Sequence, residues 1–377
     1  MSGNILKKLK IIPITLFLGF GFCGVSTYSA KAFTLANHDF SLTIVALGKE
    51  YSFYYPEIDY FNGEAYLKNA REVVDGIFYD TVKYPIDASV SIFPEQEYPF
   101  KFKKESYGKA IDKDDLLSQI ASALKKEKPI IHAKEITLKP TLTVEKLQKS
   151  TYRRAFFTTN FAYSSEERKH NISLCAKYLG GVTLFQGEEF SFNKVVGERT
   201  EERGFKSARV IENGKFTEGF GGGVCQVSST VYNAALLGGL KITERYAHSL
   251  AVSYVEPSFD AMVSAGYADL KFVNDTGGVV FIIAKVDGDN ICISVYGEKT
   301  NFTYNRVYEI IEKIPPPEIL RVQSSSLLKG EEKMVVYPKE GLVSKGYLEI
   351  YSNGKLQAKK ILSQDKYKPL QGEILYG

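Results

Sequence analysis

A glycine run that ends on a cysteine is the segment of this sequence best suited to covalent chemistry. Gly221, Gly222 and Gly223 precede Val224 and Cys225, and the pattern behind them predicts a helix. The first turn of a helix has unpaired N–H groups and carries a partial positive charge, which shifts a nearby thiol toward the thiolate. The segment therefore predicts that Cys225 is a nucleophile that attacks a carbonyl carbon.

A nucleophilic cysteine needs a general base, and histidine is the usual one. The four histidines are His38, His132, His170 and His248. His248 follows the predicted cysteine helix near the start of a predicted strand, which can run back alongside the helix to its N-terminus. His170 lies in a charged run on another predicted helix, which favours a solvated position. We therefore predict His248 as the base, and a structural hydrogen-bonding histidine is the alternative.

A carboxylate that orients the imidazole would complete the site, and two aspartates downstream of His248 are candidates. Asp269 lies on a predicted strand. Asp260 follows a Pro-Ser-Phe sequence in a predicted turn, a position that aspartate also takes for structural reasons. The residues alone do not choose between the two acids, and Asp269 is our first choice.

An oxyanion that develops during the attack needs hydrogen-bond donors. We predict that backbone N–H groups at the start of the helix supply them, from Gly222 and Gly223 to the cysteine itself. The side chains of Gln226, Ser228 and Ser229 could add further donors, and helix capping is their alternative role. These five residues are the predicted contacts to the reacting group.

Two arginines are candidates for binding a substrate carboxylate, because a guanidinium can bind a carboxylate bidentately. Arg199 lies in a Gly-Glu-Arg-Thr sequence before the glycine run, and Arg245 follows the cysteine helix. Each could equally form a structural ion pair. The sequence has neither a CxxC pattern nor closely spaced histidines, so we predict no metal site and expect no cofactor.

The charge balance argues against nucleic acid as a partner. The chain of 377 residues has 48 basic and 44 acidic residues, and residues 1–32 hold four of the lysines and no acid. The remaining chain is therefore neutral and has no electrostatic footprint for a nucleic acid. Its length is sufficient for two or three domains.

The N-terminus has the layout of an export signal. A basic stub precedes an apolar run from Ile11 to Val25, and a small-x-small cleavage pattern ends at Ala32. Residues 1–32 are therefore predicted to be a signal peptide, with an uncleaved membrane anchor as the alternative. We expect the protein on the cell wall side of the cytoplasmic membrane, either secreted or anchored by this segment.

Three cysteines remain after the leader, Cys175, Cys225 and Cys292. An odd number of cysteines in an exported protein leaves at least one thiol unpaired or paired between chains. This favours a free thiol at Cys225, and a structural disulfide that includes it is the alternative.

The order of predicted elements indicates an α+β fold in three parts. Residues 33–150 are predicted to form a small α+β module with helices over 64–80 and 112–126. Residues 151–300 are predicted to form a mixed or antiparallel sheet with the cysteine helix. A hairpin around Asp287-Gly288 belongs to that sheet.

Two further segments complete the predicted organisation. Between the cysteine helix and the hairpin, apolar residues predict strands over 242–255 and 261–272. Three consecutive prolines from Pro315 then predict a stiff linker. Residues 315–377 are predicted to form a small β module, in which Asn353-Gly354 marks a hairpin.

The sequence resembles the VanW family over about residues 150–300. Some members of this family are L,D-transpeptidases that make 3–3 peptidoglycan cross-links with the cysteine of a glycine–cysteine motif, so the resemblance implies that role for Cys225. The preceding segment, from about residue 85 to 150, resembles a peptidoglycan-binding module, and the last residues are similar to a divergent G5 module. The matching segments are Phe190 to Asn193, Val196 to Thr200, Gly204-Phe205, Gly221 to Ala235, Glu244-Arg245, His248-Ser249, Asp260-Ala261, Asp269 to Phe272 and Asn274.

The resemblance implies a two-step acyl transfer on peptidoglycan stem peptides. Cys225 would attack the carbonyl before the terminal D-residue of a donor stem, with His248 protonating the leaving group. An amine of a neighbouring stem would then resolve the thioester. A cysteine endopeptidase or carboxypeptidase would use the same residues with water as the acceptor, and a non-catalytic peptidoglycan-binding protein is the third hypothesis.

Overall fold

The computed structural model describes residues 40–212 and 215–377. The predicted signal peptide or membrane anchor at residues 1–32 lies outside the described residues. The described chain consists mostly of strands with a few helices, which confirms the α+β class. No helix in the described ranges is both long enough and apolar enough to cross a membrane.

The chain divides into two compact units, and neither ends at the predicted boundary at residue 150. The first unit contains the described residues up to Thr81 together with 111–135, and the second contains 82–110 and 136–377. The segments 82–110 and 136–150, which we placed in the N-terminal module, therefore belong to the unit that contains the cysteine helix.

The first unit has a small sheet covered by helices. Its strand β1 pairs antiparallel with β2 and parallel with β8, and Leu42, Ile44 and Ala46 alternate from β1 into the core. Leu116 of α2 belongs to the same core. The elements up to residue 149, in chain order, are β1 (Leu42–Ala46), β2 (Lys49–Phe53), β3 (Ile58–Phe61), β4 (Glu64–Leu67), α1 (Ala70–Thr81), β5 (Ser89–Ile92), β6 (Phe100–Lys103), β7 (Gly108–Ile111), α2 (Lys113–Lys125), β8 (Ile130–His132), β9 (Glu135–Leu138) and α3 (Val144–Lys149).

The predicted helix over 64–80 is wrong at its start. Residues Glu64–Leu67 pair antiparallel with β3, and α1 begins only at Ala70. The turn between the two strands is Asn62-Gly63, where φ is 50° and 84°. Positive φ at both positions is what a two-residue hairpin turn requires, so the local turn chemistry decides against a longer helix.

The central domain is built on an antiparallel sheet with the strand order β10-β18-β17-β11. The predicted hairpin around Asp287-Gly288 is confirmed as the connection between β17 and β18. A second sheet has the order β12-β16-β15. The elements of this domain are β10 (Tyr152–Asn160), α4 (Glu166–Leu179), β11 (Gly181–Leu184), β12 (Glu189–Ser191), α5 (Phe192–Val196), β13 (Ser207–Glu212), β14 (Lys215–Phe220), α6 (Val224–Leu237), β15 (Lys241–Glu244), β16 (Lys271–Val273), β17 (Val280–Asp287) and β18 (Asn290–Gly297).

Both faces of the larger sheet are apolar, and each packs against a different layer. Along β17, Val280 and Ile282 belong to the core that contains α4 and α6. The alternate residue Phe281 points to the other face, where its ring lies 5.0 Å from the ring of Phe100 in β6. This contact explains why the segment 82–110 belongs to the same unit as the sheet.

The segment between β15 and β16 is irregular, although its apolar spacing predicts two strands. Some of its backbone groups bond to side chains of α6. Asn233 donates to the carbonyl of Phe259 at 2.8 Å, and the N–H of Ala261 donates to Ser229 Oγ at 2.9 Å. Because these backbone groups are satisfied by the helix, the segment is held against α6 without forming a strand.

The C-terminal module is a β structure, as predicted, and its Asn353-Gly354 hairpin is confirmed. The long strand β19 lies before the prolines and was missed from the sequence. Strand β22 pairs with both β19 and β23, and the hydroxyls of Ser344 and Ser258 lie 2.7 Å apart where β22 meets the central domain. The strands are β19 (Phe302–Ile314), β20 (Leu320–Gln323), β21 (Glu332–Val336), β22 (Gly341–Ser352), β23 (Lys355–Tyr367) and β24 (Glu373–Tyr376).

Candidate active site

The glycine run brings the start of α6 into close contact with the elements around it. A Cβ atom at Gly222 would lie 2.9 Å from the Cβ of Ala208, and one at Gly223 would lie 2.9 Å from Cγ1 of Ile172. The φ of Gly223 is +105°, a conformation that side chains disfavour. The glycines are therefore required for packing, and this packing fixes the position of Cys225 in the first turn.

Cys225 is the one residue between Val224 and Leu236 of α6 that is not buried. Its thiol is free, as are those of Cys175 and Cys292, so the structure does not contain the alternative disulfide. The Sγ atom lies 3.5 Å from the carbonyl oxygen of Val263. Within the described ranges, no cluster of three or more His, Cys, Asp or Glu residues is arranged to hold a metal ion.

His248 and Asp260 form a buried hydrogen-bonded pair next to this thiol. Nδ1 of His248 lies 2.6 Å from Oδ2 of Asp260, and the backbone N–H of His248 donates to the same oxygen at 2.7 Å. The other carboxylate oxygen accepts from Arg245 at 2.8 Å and from the hydroxyl of Tyr367 at 2.6 Å. Because Nδ1 is bound to the carboxylate, Nε2 is the imidazole atom left to interact with the Cys225 thiol, which lies within electrostatic reach of His248.

The prediction that Asp269 orients the imidazole is wrong, because the Asp269 carboxylate binds other groups. The Asp269 carboxylate accepts from the hydroxyl of Ser191 at 2.5 Å and from the backbone N–H groups of Asn193 and Leu270 at 2.9 and 2.8 Å. Its oxygens are therefore occupied by the corner between β12 and α5. Asp260, the acid that our sequence argument ranked second, is the one that contacts the histidine.

Cys225, His248 and Asp260 shift one another's pKa values, and each shift favours the charged form of the group. Burial opposes ionisation of Cys225, but the hydrogen bond and charge of His248 outweigh it and lower the pKa of the thiol. Burial likewise opposes protonation of His248, yet Asp260 and the thiolate raise the pKa of the imidazole to about 9. Burial also opposes ionisation of Asp260, yet the imidazole and Arg245 lower the pKa of its carboxyl to about 2. Each shift therefore favours the charged form of its group: the thiolate, the imidazolium and the carboxylate.

The polar side chains predicted beside Cys225 on α6 point into the protein. Gln226 donates to the carbonyl of Asn160 at 2.9 Å. Ser228 donates to the carbonyl of Ala261 at 2.5 Å, and Ser229 accepts from the N–H of the same residue at 2.9 Å. All three side chains are buried, so the structure places them as supports of α6 and the adjacent loop and not as contacts to a substrate.

Arg245 is also placed differently from the prediction. Only 7% of its side chain is exposed, and its guanidinium is shared between Asp260 at 2.8 Å and Asp365 of β23 at 2.7 Å. It is thus a structural ion pair, the alternative that we considered, and is not available to a substrate carboxylate. Its contribution to the site is to hold Asp260.

Arg199, the other candidate for a substrate carboxylate, lies within electrostatic reach of the thiol, and so do two residues that we did not predict. The guanidinium of Arg199 contributes to the lowered pKa of Cys225. Arg168 of α4 lies within electrostatic reach of the same thiol, as does Tyr254. Helical spacing could have revealed Arg168, because it precedes the buried Ile172 by one turn and shares its face. No comparable local signal marks Tyr254.

Family models match three regions of the chain. The model described as VanW like protein matches residues 167–296, a peptidoglycan binding domain matches 49–132 and a G5 domain matches 307–377. YoaR of Bacillus subtilis is 33% identical over 270 residues, which are 69% of this chain and 82% of YoaR. The chain belongs to the VanW family. The match with this family's model contains Cys225, His248 and Asp260.

Two further similarities cover smaller parts of the chain. The vancomycin B-type resistance protein VanW of Enterococcus faecalis is 33% identical over 140 residues, which are 36% of this chain and 50% of that protein. The solved G5 domain of an IgA1 protease aligns with 22% of this chain and 96% of its own chain, at 18% identity and a TM-score of 0.14. The G5 region found by the family model includes Tyr367 and Asp365, which contact the candidate site.

Proposed function

We propose that this VanW-family chain is a cysteine acyltransferase of the cell wall, an L,D-transpeptidase that forms 3–3 peptidoglycan cross-links through a thioester. The observation that carries the proposal is that Cys225, at the start of α6, interacts electrostatically with His248, whose Nδ1 lies 2.6 Å from the Asp260 carboxylate. A thiol, an imidazole and a carboxylate in this order are the parts of a nucleophilic acyl-transfer site. The match to a peptidoglycan binding domain supports the substrate class.

The first step would acylate Cys225. The thiolate attacks the carbonyl carbon before the terminal D-residue of a donor stem peptide, and the carbonyl oxygen becomes an oxyanion. The neighbouring N–H groups of Val224 and Gln226 donate to the carbonyls of Gly221 and Gly223, each at 3.0 Å. This leaves the N–H of Cys225 as a first-turn donor for the oxyanion. His248 then protonates the leaving amine, the carbon–nitrogen bond breaks and a thioester remains.

The second step would transfer the acyl group to an amine of a neighbouring stem. The amine attacks the thioester carbonyl and passes its proton to the imidazole of His248, which is neutral after the first step. The carbon–sulfur bond then breaks and regenerates the thiolate, which pairs with the imidazolium. Asp260 holds the imidazole in the same orientation through both proton transfers because its oxygens are fixed by Arg245 and Tyr367.

The site would act on the wall side of the cytoplasmic membrane, where peptidoglycan stem peptides are available. The predicted export signal at residues 1–32 supports that location. The G5 and peptidoglycan binding regions are consistent with association with the wall. No cofactor is required, since the thiol, the imidazole and the backbone donors suffice for both steps.

Mass spectrometry of purified muropeptides after incubation with the protein tests the proposal. We expect new 3–3 dimers with the wild-type protein, and a loss of at least about 10³-fold in their formation with Cys225→Ala. Cys292→Ala is the matched control, because Cys292 is a buried free thiol on β18. Shortened stems without dimers would identify a hydrolase instead, and unchanged muropeptides would identify a binding protein.

A further inference from the structure

Two arginine side chains contact the glycine run that precedes Cys225. The Cβ position of Gly221 is 2.9 Å from Cβ and Cγ of Arg199, and that of Gly223 is 3.0 Å from Cγ of Arg168. Arg168 comes from α4 and Arg199 from the segment after α5, so the aliphatic parts of two arginines from separate elements contact the glycine run. Both groups lie within electrostatic reach of the Cys225 thiol.

Neither guanidinium has a carboxylate partner among the described residues. Arg168 donates to the hydroxyl of Ser164 at 2.7 Å, and Arg199 donates to the amide oxygen of Asn193 at 2.6 Å. These acceptors are neutral and each takes up part of the donor capacity of a guanidinium, which has five N–H groups. Each arginine therefore keeps N–H groups that a further acceptor can use.

Two other arginines of the same unit have carboxylate partners. Arg245 is shared between Asp260 and Asp365, and Arg306 pairs with Glu256 at 3.4 Å. Burial of a charge without an opposite charge is costly. Arg168 and Arg199 are partly buried beside the thiol, and an anionic group of a ligand would supply the opposite charge that they lack.

We propose that Arg168 and Arg199 together bind a carboxylate group of the substrate next to Cys225. A guanidinium binds a carboxylate bidentately, and two arginines that contact the glycine run at Gly221 and Gly223 can together fix the position of a carboxylate near Sγ. The inference deepens the proposed function, because it names the group of the stem peptide that the site recognises. It also assigns Arg168, which the sequence did not indicate, to substrate recognition.

Two carboxylates of a stem peptide are candidates for this position. One is the C-terminal carboxylate of the leaving residue, and the other is a side-chain carboxylate on the residue whose carbonyl is attacked. Both present the same chemistry to the two arginines. The first would restrict the enzyme to peptides with a free C-terminus next to the scissile bond, and the second would restrict it to donors with an acidic centre.

Alkylation of Cys225 by a charged and a neutral reagent tests the anion site without any substrate. Iodoacetate and iodoacetamide react identically: the sulfur–carbon bond forms, the carbon–iodine bond breaks and iodide leaves. The two reagents differ only in the negative charge of iodoacetate, so the ratio of their rate constants reports the electrostatic field at the thiol. Both react with the thiolate, so the ratio does not depend on the fraction of Cys225 that is ionised. The rates are measured on the full-length protein by mass spectrometry of the peptide that contains Cys225.

We expect the iodoacetate-to-iodoacetamide ratio of the wild-type protein to exceed that of free 2-mercaptoethanol about tenfold at low salt. Arg168→Gln and Arg199→Gln should each lower the ratio about fivefold. Arg203→Gln is the matched control, because this arginine lies over the ring of Tyr178 and donates to the carbonyl of Glu198. A wild-type ratio no higher than that of the free thiol overturns the proposal, even if a variant fails to fold.

Synthetic donor peptides then separate the two carboxylates. We compare a tetrapeptide stem with versions amidated at the C-terminus or at the side-chain carboxylate, and expect one amide to raise KM about tenfold in the wild-type protein and much less in Arg168→Gln. Equal KM values for all three peptides would overturn the carboxylate site while the proposed function stands. Turnover of none of them, with a raised alkylation ratio, would overturn the proposed function while the anion site stands.

Discussion

Asp260 and Asp269 are both buried in the central domain, yet their surroundings give them different tasks. Asp260 accepts from His248, Arg245 and Tyr367, whose side chains are titratable or charged. Asp269 accepts from one hydroxyl and from backbone N–H groups at the corner between β12 and α5. Burial therefore does not distinguish the two aspartates. The groups that donate to each carboxylate do, because they determine whether it binds the imidazole or backbone N–H groups.

The two sets of donors also differ in their origin. Those of Asp269 come from a single corner and from the next residue, so this aspartate braces a local turn. Those of Asp260 come from the loop after β15 and from β23 of the C-terminal module. The surroundings of Asp260 are thus assembled by tertiary structure, and the G5 region takes part in the proposed site.

The largest effect on this comparison is expected from Asp260→Asn. The amide cannot stabilise the imidazolium and favours the wrong tautomer of His248, so we expect kcat/KM to fall by about 10²–10⁴-fold. The measurement is the rate of 3–3 dimer formation from donor and acceptor peptides. A parallel urea unfolding curve shows that the variant is folded under the assay conditions.

Asp269→Asn is the matched variant for this test. We expect it to cost about 1–3 kcal/mol in the free energy of unfolding, because buried N–H groups lose a charged acceptor, and to change kcat by less than about fivefold. A loss of activity in Asp269→Asn as large as that in Asp260→Asn would contradict the division of roles and restore Asp269 as a candidate.

The pH dependence of acylation should sharpen the same comparison. The thiolate appears as pH rises through the lowered pKa of Cys225, and the imidazolium is lost as pH rises through the pKa of His248 at about 9. We therefore expect a bell-shaped profile of kcat/KM with its alkaline limb near pH 9. The profile is obtained from the single-turnover rate of thioester formation, which mass spectrometry detects. The rate is measured from pH 5 to 10 in steps of about half a pH unit.

We expect Asp260→Asn and Asp269→Asn to differ in the pH at which the alkaline limb of this profile lies. Asp260→Asn removes a cause of the raised pKa of His248, so the alkaline limb should move to lower pH. Asp269→Asn should leave the limb in place, since its carboxylate does not contact the imidazole. An unchanged limb in Asp260→Asn would show that the carboxylate does not control the protonation of His248.

Local signals in the sequence predicted the elements that local chemistry determines. The hairpins at Asp287-Gly288 and Asn353-Gly354 follow from their turn residues, and both are confirmed. Helix α6 begins at Val224, directly after the glycine run. The loop between β15 and β16 was missed, because part of its backbone is satisfied by side chains of α6. Helix residues such as Ser229 and Asn233 carry no sequence signal that they bind a distant segment.

The choice between the two aspartates failed for a related reason. Asp260 lies between Phe259 and Ala261, and an acid flanked by apolar residues indicates a buried carboxylate that needs partners. The sequence thus indicates that the Asp260 carboxylate is buried but does not indicate which groups bind it, since Tyr367 belongs to a module that follows the prolines. Only the tertiary structure places the hydroxyl of Tyr367 at 2.6 Å from the Asp260 carboxylate.

The smallest of the expected effects comes from Tyr367→Phe, which tests how much the C-terminal module contributes. The change removes a donor to Asp260 and the acceptor of the Ser258 N–H at 2.8 Å. We expect a loss of about 1–2 kcal/mol in the free energy of unfolding, with kcat lowered about threefold and KM unchanged. Urea unfolding and steady-state kinetics on donor peptides measure these quantities.

Tyr351→Phe is the control for this variant, because it removes a hydroxyl from the same module that donates only to Glu349, at 2.8 Å. We expect it to leave kcat unchanged and to alter stability by less than about 0.5 kcal/mol. If Tyr367→Phe lowered stability but left kcat at the wild-type value, Arg245 alone would suffice to orient Asp260. The G5 region would then stabilise the domain interface without a role in positioning the carboxylate.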